Sequence, residues 1–225
     1  MDSVHIKRRP ARSLVRRRPS RRRTYRHGDL RRALLEAGIE LARDGGPEAV
    51  VLREATRRAG VVPNAAYRHF ASRQDLLRGV RAAALSALAV AMEKEVAALA
   101  PSERPADVAR QSLRAVGTAY LQFAQREIGL FRTAFASLED APTAADPAMA
   151  GESGLNPFQL LGAALDRMVE AKVLPAARRP GAEYLAWSAV HGLAILVIDG
   201  PLRRSPPVQI DELGRRLLDM VEKGL

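Results

Sequence analysis

The chain has 225 residues, 47% hydrophobic and only 4% aromatic, which suits one or two folded domains whose core is built from Ala, Leu and Val. Cysteine is absent, which excludes disulfides and thiolate metal sites, and the four His residues show no ligand spacing, so neither a metal nor a cofactor is expected. The formal charge of +11 is concentrated at one end: residues 1–26 hold eleven Lys/Arg against one acid, Asp2, and residues 27–225 carry only +1.

Residues 1–24 contain little apolar material and are interrupted by Pro10 and Pro19. They read as a basic, disordered arm suited to polyanions, nucleic acid before an anionic membrane surface. Within it Arg21, Arg22 and Arg23 are candidates for phosphate or minor-groove contact. A solvated tail, or a start codon placed too far upstream, fits the same composition. The longest apolar run, Leu14-Val15, is far short of the roughly 7–15 residues of a signal-peptide core. The same shortfall counts against a twin-Arg address, while a transit peptide stays open on composition alone. His191 interrupts the best candidate for a membrane span, residues 189–198, which is about half the length needed. A cytoplasmic protein is expected, without a membrane role.

The first helix is expected over Asp29–Asp44, with Leu30, Leu34, Ala37 and Leu41 recurring at helical spacing and Gly45-Gly46-Pro47 as the stop. A second runs from Leu52 to Ala59, with Leu52, Ala55 and Ala59 inward. Gly60 makes the turn, because the residue after a helix often takes positive φ at little cost only in glycine. Pro63, pre-organised for a first helical position, opens a third helix reaching Phe70. Asn64, Tyr67, Arg68 and His69 supply its polar and aromatic face. Ser72-Arg73-Gln74-Asp75 is a capping pattern that starts a long helix to about Leu99, apolar all round in its middle and so buried.

Further helices are expected over 106–125, 128–136, from Asn156-Pro157 onward, over 183–199 and over 211–223. Residues 138–154, rich in Ala, Pro, Asp and Gly, form a loop. No strand pattern appears. The fold class is all-α with about nine helices, divided into the arm (1–24), a helix-turn-helix DNA-binding domain (25–71) and a helical ligand-binding and dimerisation domain (72–225).

A short helix, a glycine turn, a helix with a polar-aromatic face, a basic arm before it and a capped helix after it together point to DNA. The run Gly60-Val61-Val62-Pro63-Asn64-Ala65-Ala66-Tyr67-Arg68-His69-Phe70 resembles the "GVSxxxxYxHF" motif of the TetR family of transcriptional regulators, and Ser72–Leu77 its "SKExLL" continuation. Trp187-Ser188-Ala189-Val190-His191-Gly192 resembles the WxxxHG signature of the WHG-type subgroup of C-terminal domains. The resemblance implies a homodimer whose paired recognition helices enter successive major grooves of a palindromic double-stranded operator. It also implies a small-molecule effector in the C-terminal domain.

Carried across, the resemblance puts Pro63, Asn64 and Ala65 at base-contacting positions and Tyr67, His69 and Arg73 at phosphate-contacting ones. Arg53 falls near backbone or base edges. Val51 and Val62 stand where the family usually has Thr and Ser, so both short helices lack a capping hydroxyl, a loss of roughly 0.5–2 kcal/mol each. The arm is expected to compensate electrostatically.

Tyr120, Phe123, Phe131, Phe135, Phe158, Met168, Trp187 and His191 are the candidate effector contacts. Each also fits ordinary core packing, and Gly192 fits a close helix approach. The last two helices are expected to pair with a second copy as a four-helix bundle, since their apolar faces would otherwise be exposed. The expected function is a ligand-released repressor, with activation left open. The alternative is nonspecific binding to nucleic acid or an anionic surface through the arm. An enzyme built on Ser188 and His191 lacks both a nucleophile elbow and an oxyanion loop.

Overall fold

The computed structural model describes residues 27–136 and 146–225. The arm with Arg21, Arg22 and Arg23 lies outside the described residues, as does the 138–145 part of the expected loop. Among the described residues there are nine α-helices, three 3-10 turns and no strand.

Helix α1 (His27–Ala49) buries Leu30, Leu34, Ala37 and Leu41 as its spacing predicts. It runs five residues past the expected end at Asp44, but not as a straight helix. Gly46 takes φ 70°, ψ −162°, and Pro47 then starts a fresh turn closed by Val50 N–H donating to the Pro47 carbonyl at 3.3 Å. Glycine supplies the positive φ that breaks the path, and proline's fixed φ lets it resume. Helix α2 (Leu52–Ala59) has the expected bounds, and Gly60 at φ 69°, ψ 30° donates to the Arg57 carbonyl.

Helix α3 is shorter than expected. It spans Pro63–Ala66 and gives way to a turn through His69. His69 and Phe70 N–H both donate to the Ala66 carbonyl at 2.9 Å, so the last turn tightens instead of propagating. Ala66 and Phe70 still reach the core, because one tight turn keeps them on the same side.

Helix α4 (Arg73–Ala97) begins where the Ser72 hydroxyl accepts the Asp75 N–H at 3.1 Å. No residue from Gly79 to Glu93 is exposed. The helix packs against α1 on one side and against α5 (Pro105–Arg126), α6 (Ile128–Ala134) and α7 (Pro157–Glu170) on others. One buried apolar cluster runs from Leu30 to Leu225 and includes both Phe70 and Leu76, so core packing is continuous through α4.

Helix α6 ends at Ala134, two residues early, and lies across the end of α1. Their contact is backbone against side-chain-free backbone. A Cβ on Gly129 would stand 2.5 Å from the Arg43 carbonyl oxygen and nearer still to that of Ala42. Arg43 and Glu127 pair at 3.1 Å beside it, and buried Arg81 donates from Nε to the Ala134 carbonyl at the other end of α6.

The described part of the 146–154 segment carries a 3-10 turn (Pro147–Met149) and is pinned to α4. Glu93 accepts from the Glu152 N–H at 2.8 Å and from the Ser153 N–H and hydroxyl at 2.9 and 2.5 Å. Burial alone would raise the Glu93 carboxyl, but these hydrogen bonds outweigh it and hold the group below its ordinary value. Asn156 and Gln159 form a full capping box at the start of α7, each side chain accepting the other's N–H at 2.9 Å. Helices α8 (Ala182–Ile198) and α9 (Pro207–Gly224) complete the bundle around α5.

Candidate DNA interface and effector cavity

Two sites follow from this packing, one on the outer surface and one a small apolar cavity between the bundle helices. The surface site is the outer side of α2, α3 and the following turn. Pro63, Asn64 and Arg68 are exposed, Tyr67 is 58% exposed, and Ala65 and His69 are partly buried. Arg53 is exposed at the start of α2. Arg53, Asn64, Tyr67 and Arg68 make no side-chain hydrogen bond or ion pair among the described residues, so their donors are open to an external partner. Arg57 and Arg58 on the same helix are instead tied down, Arg57 to Glu54 at 2.5 Å and Arg58 to Asp44 at 2.8 Å.

Arg73 sits apart from the other expected phosphate contacts. Its Nε donates to the Val50 carbonyl at 2.9 Å and its Nη2 to the Pro47 carbonyl at 2.7 Å, with Glu48 at 3.5 Å. The guanidinium thereby staples the start of α4 to the elbow between α1 and α2. Neither Val51 nor Val62 caps its helix, and they are 42% and 68% exposed. The staple engages carbonyls of the elbow, not the α2 N–H groups that a hydroxyl at position 51 would cap. Arg31, which the sequence pattern gave no reason to single out, lies 5.3 Å over the Phe70 ring.

The second site lies where α4, α5, α7, α8 and α9 converge. It is a cavity of about 40 Å³, room for one or two water molecules. Of the eight expected effector contacts, Tyr120, Phe135, Phe158 and Trp187 line it, among Leu, Val and Met side chains and Gly117. Phe123, Phe131 and Met168 are buried but do not line it. His191 joins it through Tyr120: Trp187 Nε1–H donates to the Tyr120 hydroxyl at 3.1 Å, and that hydroxyl lies 2.7 Å from His191 Nδ1. With Trp187 donating to it, the Tyr120 hydroxyl has its own proton available for Nδ1, the arrangement in which neutral His191 carries its proton on Nε2. Burial pushes the Tyr120 hydroxyl far above the ordinary tyrosine range and draws His191 below its usual 6.5. Both effects favour the neutral network. Phe131 stacks on the His191 ring at 5.7 Å and Phe135 meets it edge-on at 5.0 Å.

A larger groove of about 340 Å³ lies outside, between α5, α8 and α9, with Gln122, Gln125, Arg126, Asp211 and Arg215 in its walls. Its lining mixes these polar groups with Leu121, Leu193, Val197 and Ile210, whereas the smaller cavity is almost wholly apolar and is the better match to a small-molecule site despite its size. Beside the groove α8 presents Leu185, 64% exposed, with Gly192, Ile195 and Leu196, and α9 presents Val208 and Met220. Within this chain a Cβ on Gly192 would meet nothing within 4 Å, so its smallness serves no internal helix approach.

Ser188 and His191 do not form a reactive pair. The Ser188 hydroxyl donates to the Leu185 carbonyl, and His191 Nδ1 is engaged by Tyr120. Among the described residues no cluster of three His, Asp or Glu is placed to hold a metal, and no helix is long and apolar enough to cross a membrane.

Residues 34–80 match the model of bacterial regulatory proteins of the tetR family, and residues 113–221 match that of the Tetracyclin repressor-like C-terminal domain. The second match does not name the WHG-type subgroup. Among solved structures, a protein of unknown function from Rhodococcus sp. RHA1 is 27% identical, with a TM-score of 0.70 over 90% of this chain and 98% of that one. The transcriptional regulator FadR from Bacillus subtilis, solved with stearoyl-CoA, shares the fold at 13% identity and a TM-score of 0.61, over 86% of this chain and 98% of that one. No curated protein matches the chain.

Proposed function

We propose that this chain, which belongs to the TetR family of transcriptional regulators over two matched segments that together span well over half its length, is a dimeric operator-binding repressor released by a small-molecule effector. The observation that carries the reading is the contrast on the helix-turn-helix surface. Asn64, Tyr67, Arg68 and Arg53 have uncommitted polar groups there, while neighbouring charges are paired. Pro63, Asn64 and Ala65 meet base edges, and Tyr67, Arg68 and His69 meet phosphates, with Arg53 at the flank. Arg73 adds phosphate contact only through the part of its fork not engaged by Pro47 and Val50. Arg21, Arg22 and Arg23 of the arm follow the backbone or the minor groove.

The dimer forms through the exposed apolar faces of α8 and α9, setting two recognition helices about 34–36 Å apart, one turn of B-DNA. Effector in the cavity selects a conformer in which α4 carries the two helices out of that spacing. The domain division at 71/72 is then functional, a reading unit before it and a sensing unit after it. The protein works in the cytoplasm, where its operator is. Trp187 and His191, the anchors of the WxxxHG pattern, belong to the sensing network through Tyr120.

Selection of bound sequences from random duplex DNA tests this. The expected result is one palindrome whose half-sites lie one helical turn apart. Binding of equal strength to all sequences, abolished by salt, favours the alternative of a nonspecific binder driven by the arm.

A further inference from the structure

We infer that the effector this cavity accepts is an uncharged, predominantly apolar molecule, admitted where Phe158 and Trp187 form the rim. The inference rests on the regulator reading and adds the chemical class of the effector. The polar groups within reach are already matched to one another. The Tyr120 hydroxyl takes the Trp187 N–H and is hydrogen-bonded to His191 Nδ1. Arg114, the one charged side chain in the lining, donates to Glu222 at 2.7 Å and also pairs with Asp219, and Arg110 supports Glu222 at 3.2 Å.

A carboxylate entering the cavity competes for Arg114 with two acids on α9 that already hold its Nε and Nη2, and an ammonium finds no acid in the lining. Either charge is therefore desolvated without compensation. A neutral molecule meets apolar walls and one remaining lone pair on Tyr120. Among the described residues no buried side-chain nitrogen or oxygen lacks a partner, so nothing waits inside for a charged ligand.

Gly117 lets Leu218 seat close against α5 at the cavity wall, and a side chain there would drive Leu218 toward the cavity. A Cβ there would overlap Leu218 Cδ2 and stand 3.7 Å from Val190. The cavity as it stands is too small for anything beyond water, so the occupant opens it. The parts able to yield are the rim rings: Phe158 and Trp187 are only partly buried, and Phe158 rests 5.4 Å from the exposed Tyr184 ring.

Trp187 is the only tryptophan in the chain, so the emission of the full-length protein reports directly on the rim. The test titrates n-decanol, decanoate and decyltrimethylammonium, each below its micelle concentration at pH 8, and follows Trp187. Decanol is expected to give a saturable shift at one molecule per chain, with both ions at least tenfold weaker. Gly117→Ala is expected to weaken decanol about tenfold. Leu161→Phe, which fills the same space from α7, serves if the first variant does not fold.

Decanoate binding as tightly as decanol overturns the inference, as does an unchanged decanol affinity in a folded space-filling variant, or no saturable shift with any probe. Parallel selection of DNA separates the two levels. A palindrome without decanol binding discards the cavity inference alone. Saturable decanol binding without sequence selection leaves it standing and discards the regulator reading.

Discussion

The helix-turn-helix and the helical bundle behind it handle polar groups in opposite ways. On α2 and α3 several donors face outward with no partner among the described residues, and both helices start without a side-chain cap. In the bundle, among the described residues, the polar side chains that reach the interior are all matched internally. Arg114 is held by Asp219 and Glu222, Arg179 by Asp166 and Glu183, and Asn156 by Gln159. A surface that must bind phosphate cannot satisfy itself beforehand, whereas an interior that holds an apolar guest has to. The difference suggests that stability is concentrated in the bundle and recognition in the smaller unit.

The largest expected effect tests how far the reading unit depends on charge outside its own fold. Removing residues 1–24 is expected to lower operator affinity about 100-fold at physiological salt. The slope of log affinity against log salt should flatten by several units, at about 0.9 for each phosphate the arm neutralises. An unchanged slope would show that α2 and α3 suffice without the arm. Next comes the joint between the two regions. Gly129→Ala places a methyl against the Ala42 and Arg43 carbonyls, where only backbone could move, and is expected to cost about 2–4 kcal/mol. Thermal unfolding followed by circular dichroism reads this as a drop of roughly 5–15 °C.

A smaller gain is expected from Val62→Ser, which restores a hydroxyl where the α3 start has none. Stability should rise by about 0.5–1 kcal/mol, measured by urea titration. No gain would mean that the α3 start is already satisfied by its surroundings. The smallest effect belongs to the sensing network. His191 lies below its ordinary 6.5 because it is buried, so the unfolded chain binds the proton more readily. Its contribution is therefore intact above about pH 6.5 and is lost as the pH falls from there toward the lower folded value. Melting temperature from pH 7.5 to 5.5 should decline more in the parent chain than in His191→Asn.

Much of the fold was legible because local chemistry marks helix ends. Gly60, Ser72, Asn156 and Pro63 each set a boundary through their own backbone or side chain, and those boundaries hold. The length of α3 was not legible. Ala66 and Phe70 satisfy both a continuing helix and one tight turn, and only the shared Ala66 carbonyl separates them. The clamp on Arg73 could not be seen either, since its acceptors lie 23 and 26 residues away. Scarcity of aromatics drew attention to eight side chains, of which four line the cavity. Periodicity tells which face of a helix is buried. It does not tell whether that face meets solid packing, as at Phe123, Phe131 and Met168, or a small cavity, as at Tyr120 and Trp187.

Gly192 has a consequence that comes from symmetry. In the proposed dimer the α8 face meets its own copy across a twofold axis, so a residue near that axis opposes itself. Any side chain placed there is introduced twice at one point, and its volume and charge are doubled where there is least room to turn aside. An open glycine on such a face leaves the crossing point unobstructed for both copies at once. In that proposed arrangement a large side chain at position 192 would be presented to the facing α8 from both copies, without touching the lining of the cavity.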